Sequence, residues 1–284
     1  WFVGDLNARL EQLCGKELSY NNLLDVEAAM DYCLDGPEAT VAIIKHNNAC
    51  GMASRATLSE AWSVALSSDP VSAFGGVIAC NQPLDLDTAE KMNELFFEVL
   101  LAPDFAPEAL ALLQSKKNRI MAKIRPQKAA DYRLRSALNG VLIQECDRHI
   151  DGLDDLKVAT QIAPTQAETH DLLYASAISK HTKSNTIVLV KNRRLLASGT
   201  GQTSRVDALQ QAIHKAKSFG ISLEGAVMAS DAFFPFPDCV EIAHQEGITA
   251  VIQPGGSIKD DLSVQYCDQN GMAMVLTGFR HFKH

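Results

Sequence analysis

An α/β fold is predicted for this 284-residue chain, with mixed or parallel sheets flanked by helices in two subdomains. Three observations predict it. Short β-branched runs recur along the whole length, helix-start signals fall between them, and a polar stretch from Asp147 to Asp155, followed by Pro164, interrupts the alternation near its middle. Short apolar runs separated by helices belong to sheets buried on both faces. The division is drawn near residue 160, giving a first subdomain over 1–160 and a second over 161–284.

In chain order, Val41-Ala42-Ile43-Ile44 reads as an interior strand that breaks at Lys45-His46 into a polar turn, Asn47 to Gly51. Thr57, with Glu60 three residues on, is a capping box and starts a helix. Val77-Ile78-Ala79 and Val99-Leu100-Leu101 are strands, with a helix beginning at Asp87-Thr88 between them. Lys116-Lys117-Asn118-Arg119 and Lys191-Asn192-Arg193-Arg194 are basic turns expected to be solvated. Val141-Leu142-Ile143 is read as one more of the buried strands. Thr165 with Glu168 starts a helix that closes in Ser179 to Asn185 and leads into the strand Ile187-Val188-Leu189-Val190. Gly199 to Arg205 passes from a strand into a helix capped by Ser204 and stopped at Gly220. Ala226-Val227-Met228, a helix from near Pro237 to Gly247, and Ala250-Val251-Ile252 before Gln253-Pro254-Gly255-Gly256-Ser257 complete the series.

Composition removes several function classes. A net charge of -8 argues against a nucleic-acid surface. No apolar run approaches the ~18 residues a membrane span requires. Seven cysteines without a CxxC pair or zinc spacing fit reduced cytosolic thiols, so a cytoplasmic location is expected. The first residue is Trp1, and the expectation is a fragment or partial chain.

Chemistry concentrates in a few segments. Lys45-His46 puts two titratable groups at the carboxyl end of a strand, where open α/β sheets hold ligands; the histidine can exchange protons near neutrality and the ammonium can donate to a developing anion. Cys50 in the same turn is a weaker candidate, because adjacency in sequence does not make a Cys-His couple. The glycines of Gly199-Thr200-Gly201 permit close backbone approach, and Arg205 just inside the following helix suits an anion such as phosphate. Ser230-Asp231-Ala232-Phe233-Phe234-Pro235-Phe236-Pro237-Asp238 reads either as a stacking surface or as a hydrophobic plug. The aromatic and basic tail Phe279 to His284 reads as built into a site.

Taken together these segments resemble the AICAR transformylase family, usually the C-terminal part of a bifunctional enzyme with IMP cyclohydrolase. The resemblance rests on Gly15-Lys16-Glu17-Leu18-Ser19-Tyr20-Asn21-Asn22, Lys45-His46, Asp69-Pro70-Val71-Ser72-Ala73-Phe74-Gly75-Gly76, Lys183-Ser184-Asn185 and Gly201-Gln202-Thr203-Ser204-Arg205. It continues through Ser230 to Phe236, Gln253 to Ser257 and Arg280-His281-Phe282, in the family's order from residue 15 to 284.

The resemblance implies transfer of a formyl group from the co-substrate 10-formyltetrahydrofolate to the 5-amino group of AICAR. His46 would move the proton, Lys45 would be its electrostatic partner, and Asn185 would position His46 or the formyl oxygen. Arg205 and Arg280 would hold the nucleotide, with Asn22, Gly75, Glu98, Phe233, Asp238 and His284 lining the substrate sites. It implies cytidine-deaminase-like subdomains in an intertwined homodimer with active sites at the subunit interface, and a possible potassium ion near Thr182, Ser184, Thr186 and Asp231. Zinc is not expected, since no His-x-Glu followed by Pro-Cys-x-x-Cys occurs. The family's upstream nucleotide-binding stretch and its cyclohydrolase domain are expected to be absent from this chain. Ala49 stands where relatives have proline, and Pro237 where arginine is frequent. Two rival classes share parts of this pattern: a deaminase-like nucleotide sensor and another folate-dependent one-carbon transferase.

Overall fold

The computed structural model describes residues 2–126 and 130–284. Its first half runs β1 (Leu10–Cys14), α1 (Tyr20–Leu34), β2 (Ala39–Lys45), β3 (Asn48–Arg55) and α2 (Leu58–Leu66). It continues with β4 (Val77–Cys80), α3 (Leu86–Asn93), β5 (Val99–Ala102), α4 (Pro107–Gln114) and β6 (Ile120–Ile124). A hairpin follows, β7 (Tyr132–Ala137) and β8 (Gly140–Glu145). The second half is β9 (Lys157–Val158), α5 (Gln166–His181), β10 (Ile187–Lys191), β11 (Arg194–Gly199) and α6 (Arg205–Ser218), then β12 (Val227–Ser230), α7 (Asp238–Gln245), β13 (Ala250–Gln253), α8 (Asp260–Gln269) and β14 (Ala273–Leu276).

The fold class is the α/β one the sequence predicts, and the architecture is a repeat. Both halves have the element order β-α-β-β-α-β-α-β-α-β. From edge to centre the first half is arranged β1-β6-β5-β4-β2-β3, and the second matches it as β9-β14-β13-β12-β10-β11. The two central strands meet antiparallel, so two separate sheets become one of 12 strands. Helices α1 and α5 pack on one face over a core that crosses both halves. The other face carries α2–α4 over the first half and α6–α8 over the second.

Local sequence explains most elements. Strands β2, β4, β5, β10, β12 and β13 are the expected apolar runs, buried on both faces. Thr57, Thr165 and Ser204 cap their helices as expected, each accepting a hydrogen bond from the backbone three residues on. The helix expected from Asp87-Thr88 starts two residues earlier, because Asp85 accepts from the Thr88 amide.

Three expectations are corrected. The turn after Lys45 is only His46-Asn47, both at positive φ, and Asn48 already begins β3, so Ala49, Cys50 and Gly51 lie in a strand. Arg119 is not solvated: it is 1% exposed, its guanidinium lies 4.2 Å over the Phe97 ring, and it donates to Asn93 and to the Leu95 carbonyl. Val141-Leu142-Ile143 is a strand, but every residue of β8 is exposed, because it pairs only with β7 in a projecting ribbon.

Candidate active site

Strand direction gathers the candidate groups on one edge of the sheet. Strand β2 runs antiparallel to β3 and β4, and β11 is antiparallel to both β3 and β10. Strand β12 is antiparallel to β10 and parallel to β13, which is parallel to β14. The edge toward which β2 points therefore holds Lys45-His46, the amino ends of β4, β5 and β10, and the carboxyl ends of β11 to β14. The carboxyl-end rule thus accounts for the segments after β11, β12, β13 and β14, but not for Gly75, Glu98 and Asn185, which sit at the amino ends of β4, β5 and β10.

At the first-half part of this edge, Lys45 Nζ donates to the Phe74 carbonyl at 2.6 Å. A Cβ on Gly75 would come within 3.2 Å of that ammonium, and Gly75 has φ +68°, so glycine answers both a turn and a close approach. Asn22, buried in the first turn of α1, donates to Glu98 Oε2 at 2.9 Å. His46 is exposed at φ 53°, and its imidazole has no hydrogen-bond partner among the described residues. Cys50 is no nucleophile: burial pushes its thiol up to about 12, and Sγ donates to the Ile43 carbonyl.

Between the halves, β3 and β11 pair only at Arg194 and Ala53. Above that bridge they leave a cleft of about 330 Å³, lined by Lys45, His46, Asp69, Thr200, Gln211 and Lys215 among others. Asp69 and Lys215 form an ion pair at 2.5 Å, and the Ser72 amide donates to the same carboxylate at 2.8 Å. Burial alone would raise the Asp69 pKa, but these contacts hold it below the ordinary range. Lys215 and Gln211 were not identified from sequence; they lie one turn apart on α6, a spacing that any amphipathic helix shows.

The second-half group centres on Asp231, which is 0% exposed. Its Oδ2 accepts from the Ser184 hydroxyl; its Oδ1 accepts from the Thr186 amide at 3.4 Å and from Arg205 Nη2 at 3.2 Å. Arg205 Nε donates to the Ser230 hydroxyl. The side-chain amide of Asn185 donates to the Gln202 and Thr203 carbonyls, and Gln202 donates to Thr200 and Gln211 of the cleft. Thr182 turns away, its hydroxyl lying 2.9 Å from that of Tyr32. Ser184 and Thr186 converge on Asp231, whereas the Thr182 hydroxyl is engaged by Tyr32 and the Ile178 carbonyl, so the four residues do not close into one oxygen cage for potassium.

The aromatic segment divides its roles. Phe234 is a fully buried plug, Phe233 carries the Arg280 guanidinium 4.8 Å from its ring, and Phe236 is half exposed beneath Lys259. The tail is anchored at one residue, with Phe279, Arg280, Phe282 and His284 exposed: His281 is 4% exposed and bonds Asp147 at 2.7 Å and Asp151 at 3.3 Å. Burial opposes charge on His281, yet the two carboxylates raise its pKa to about 9. Asp238 accepts from the Cys239 amide, and His284 stacks loosely on Phe282; no described contact ties either to the other candidates.

The model of the AICARFT/IMPCHase bienzyme family matches residues 4–215. The chain belongs to that family. Among family relatives, the bifunctional purine biosynthesis protein PurH of Bacteroides thetaiotaomicron is 60% identical over 284 residues, covering 100% of this chain and 56% of that protein. The PurH of Chloroflexus aurantiacus is 49% identical over 286 residues, covering 99% of this chain and 56% of its own length. The chain thus spans about half the length of the curated relatives it matches. Among solved structures, the dCMP deaminase of cyanophage S-TIM5 overlaps 39% of this chain and 98% of its own, at 19% identity and a TM-score of 0.29. No helix among the described residues is long and apolar enough to cross a membrane.

Proposed function

We propose that this chain carries the formyl-transfer reaction of its family, from 10-formyltetrahydrofolate to the 5-amino group of AICAR. The observation that carries the reading is that Lys45 and His46 share one cleft between the halves with Thr200 and Gln211, to which Gln202 of the Gly199 to Arg205 segment donates. An aromatic amine conjugated to a carboxamide is a poor nucleophile, so a base must take its proton as it attacks. His46, whose imidazole has no hydrogen-bond partner among the described residues, is that base. Lys45, anchored on the Phe74 carbonyl, donates to the oxyanion of the tetrahedral intermediate. Both amide protons of Asn185 are committed to the Gln202 and Thr203 carbonyls, so in this arrangement it holds the Gln202 segment and does not donate to the formyl oxygen.

Arg280 and Arg205 hold the nucleotide, with Asn22, Gly75, Glu98, Phe233, Asp238 and His284 along the substrate walls. Arg205 reaches an anion only with nitrogens not engaged by Asp231 and Ser230. No step is routed through potassium at Ser184, Thr186 and Asp231. Each half is read as a cytidine-deaminase-like unit; the repeated element order supports two units, but β9 (Lys157–Val158) pairs with β14 of the second, so the break precedes residue 157 and not 160. The family's cyclohydrolase activity is assigned to no residue here. Seven free thiols support a reducing, cytoplasmic setting.

A homodimer with shared sites belongs to the same reading. The β7–β8 ribbon supports it: Tyr132, Leu134, Val141 and Ile143 share one face by register, and all are more than half exposed. An isolated two-stranded ribbon is marginal in water, so a second subunit is its natural support. The test of the reaction is tetrahydrofolate release from 10-formyltetrahydrofolate with AICAR present and absent. Release that depends on AICAR is expected; binding of both molecules without release overturns the reading.

A further inference from the structure

The loop between the ribbon and α5 gathers polar groups that the proposed transfer does not use. His149 Nε2 lies 3.4 Å from Asp151 Oδ1 and 3.3 Å from Asp155 Oδ2, and the three atoms lie within 4.8 Å of one another. Two ligands on a tetrahedral zinc, each bound at about 2.0–2.2 Å, stand about 3.3–3.5 Å apart. Both His149 Nε2 and Asp151 Oδ1 are buried atoms without a hydrogen-bond partner among the described residues, and the Asp151 side chain is only 1% exposed. A buried carboxylate oxygen left unpaired is costly, and an imidazolium placed to neutralise it would direct an N–H at it in hydrogen-bond geometry. That geometry is absent.

We propose that His149, Asp151 and Asp155 bind one divalent transition-metal ion of the zinc type. One imidazole and two carboxylates form a nitrogen-oxygen set suited to zinc, manganese or cobalt, whereas calcium and magnesium take oxygen cages. Each ligand is held by a neighbour. Asp151 Oδ2 accepts from the Ser176 hydroxyl and sits 3.3 Å from His281 Nε2. Asp155 Oδ2 accepts from the Gly152 amide at 2.8 Å, Asp147 accepts from the His149 amide at 3.1 Å, and the His149 ring stacks on Phe279 at 3.7 Å.

The charge balance favours a cation. Three carboxylates, Asp147, Asp151 and Asp155, gather around two imidazoles, those of His281 and His149, and Lys180, which also acts on Asp147, is itself paired with Asp35 at 3.0 Å. The partly exposed sides of His149 and Asp155, 32% and 26%, leave room for entry and for bound water. This is a positioning site, distinct from the cysteine-bound zinc of deaminases. It ties the 147–155 loop to α5 through Ser176 and to the tail through Phe279 and His281, on either side of Arg280.

The test is calorimetric titration of chelator-treated protein with Zn2+ at neutral pH, repeated with Co2+ while following its visible absorption. One ion per chain is expected, with a rise in melting temperature. His149→Ala and Asp155→Asn should each weaken binding by at least about 100-fold, since outer partners alone cost about 10–100-fold, and Ser176→Ala should fall in that lower range. Scattered thiols would bind alike in all variants. No uptake, or equal affinity in the wild type, His149→Ala and Asp155→Asn, overturns the proposal.

Discussion

His46 occupies a left-handed turn position of the kind that glycine or asparagine usually fills. Its φ of 53° belongs to a two-residue turn that matches strand twist, and this aims the ring out of the sheet toward the cleft. In the proposed reaction it moves one proton. His46→Ala is expected to lower kcat by about 10²- to 10⁴-fold, the usual worth of a positioned acid-base group, with AICAR affinity changed far less. His46→Asn is the companion variant, since asparagine tolerates the left-handed turn and cannot act as the base. Near wild-type turnover in a folded His46→Asn protein would remove His46 from the mechanism. This residue was legible in the sequence; the Lys215–Asp69 ion pair that lines the same cleft was not, because its members lie 146 positions apart and only the seam between the halves brings them together.

At the scale of elements, the approach of α6 to β11 sets the second-half site. A Cβ on Gly199 would lie 1.7 Å from the Ala208 carbonyl oxygen, a backbone atom that cannot swing aside. Thr186 also donates to the Gly199 carbonyl at 2.7 Å, so a shift here reaches the Asp231 group. Gly199→Ala is therefore expected to destabilise by at least about 1–3 kcal/mol, the usual cost of overpacking. Gly220→Ala provides the contrast, with nothing within 4 Å of its Cβ but φ +68°, and should cost about 1 kcal/mol through backbone strain alone. Urea midpoints at constant m-value measure both. Equal costs would mean that α6 moves freely and does not fix the site.

The whole molecule is a repeated unit closed on itself through one antiparallel pairing, with one ribbon left projecting. Leu134→Asp with Ile143→Asp, a directly cross-strand pair on the apolar face, should convert a dimer to monomer in sedimentation velocity while the main sheet keeps its far-ultraviolet signal. A monomeric wild type would defeat the shared-site assembly at once.

The sequence by itself determined the α/β class, the buried strands and the three side-chain caps, because apolar runs and capping hydroxyls act over a few residues. It left β3 unread and gave β11 only as a strand leading into Gly199: the interior of β3 holds alanine, cysteine, glycine, methionine and serine where β-branched residues would signal a strand, and burial between neighbours holds it there. Helix α1 was also missed, since its buried residues include Asn22 and its capping box uses asparagine at the third position. The joining of two sheets into one, the cleft at their seam, the burial of Arg119 and the meeting of His149, Asp151 and Asp155 were decided only by tertiary structure. Each depends on strand direction or on close approach between distant segments, and no local pattern of residue types encodes either.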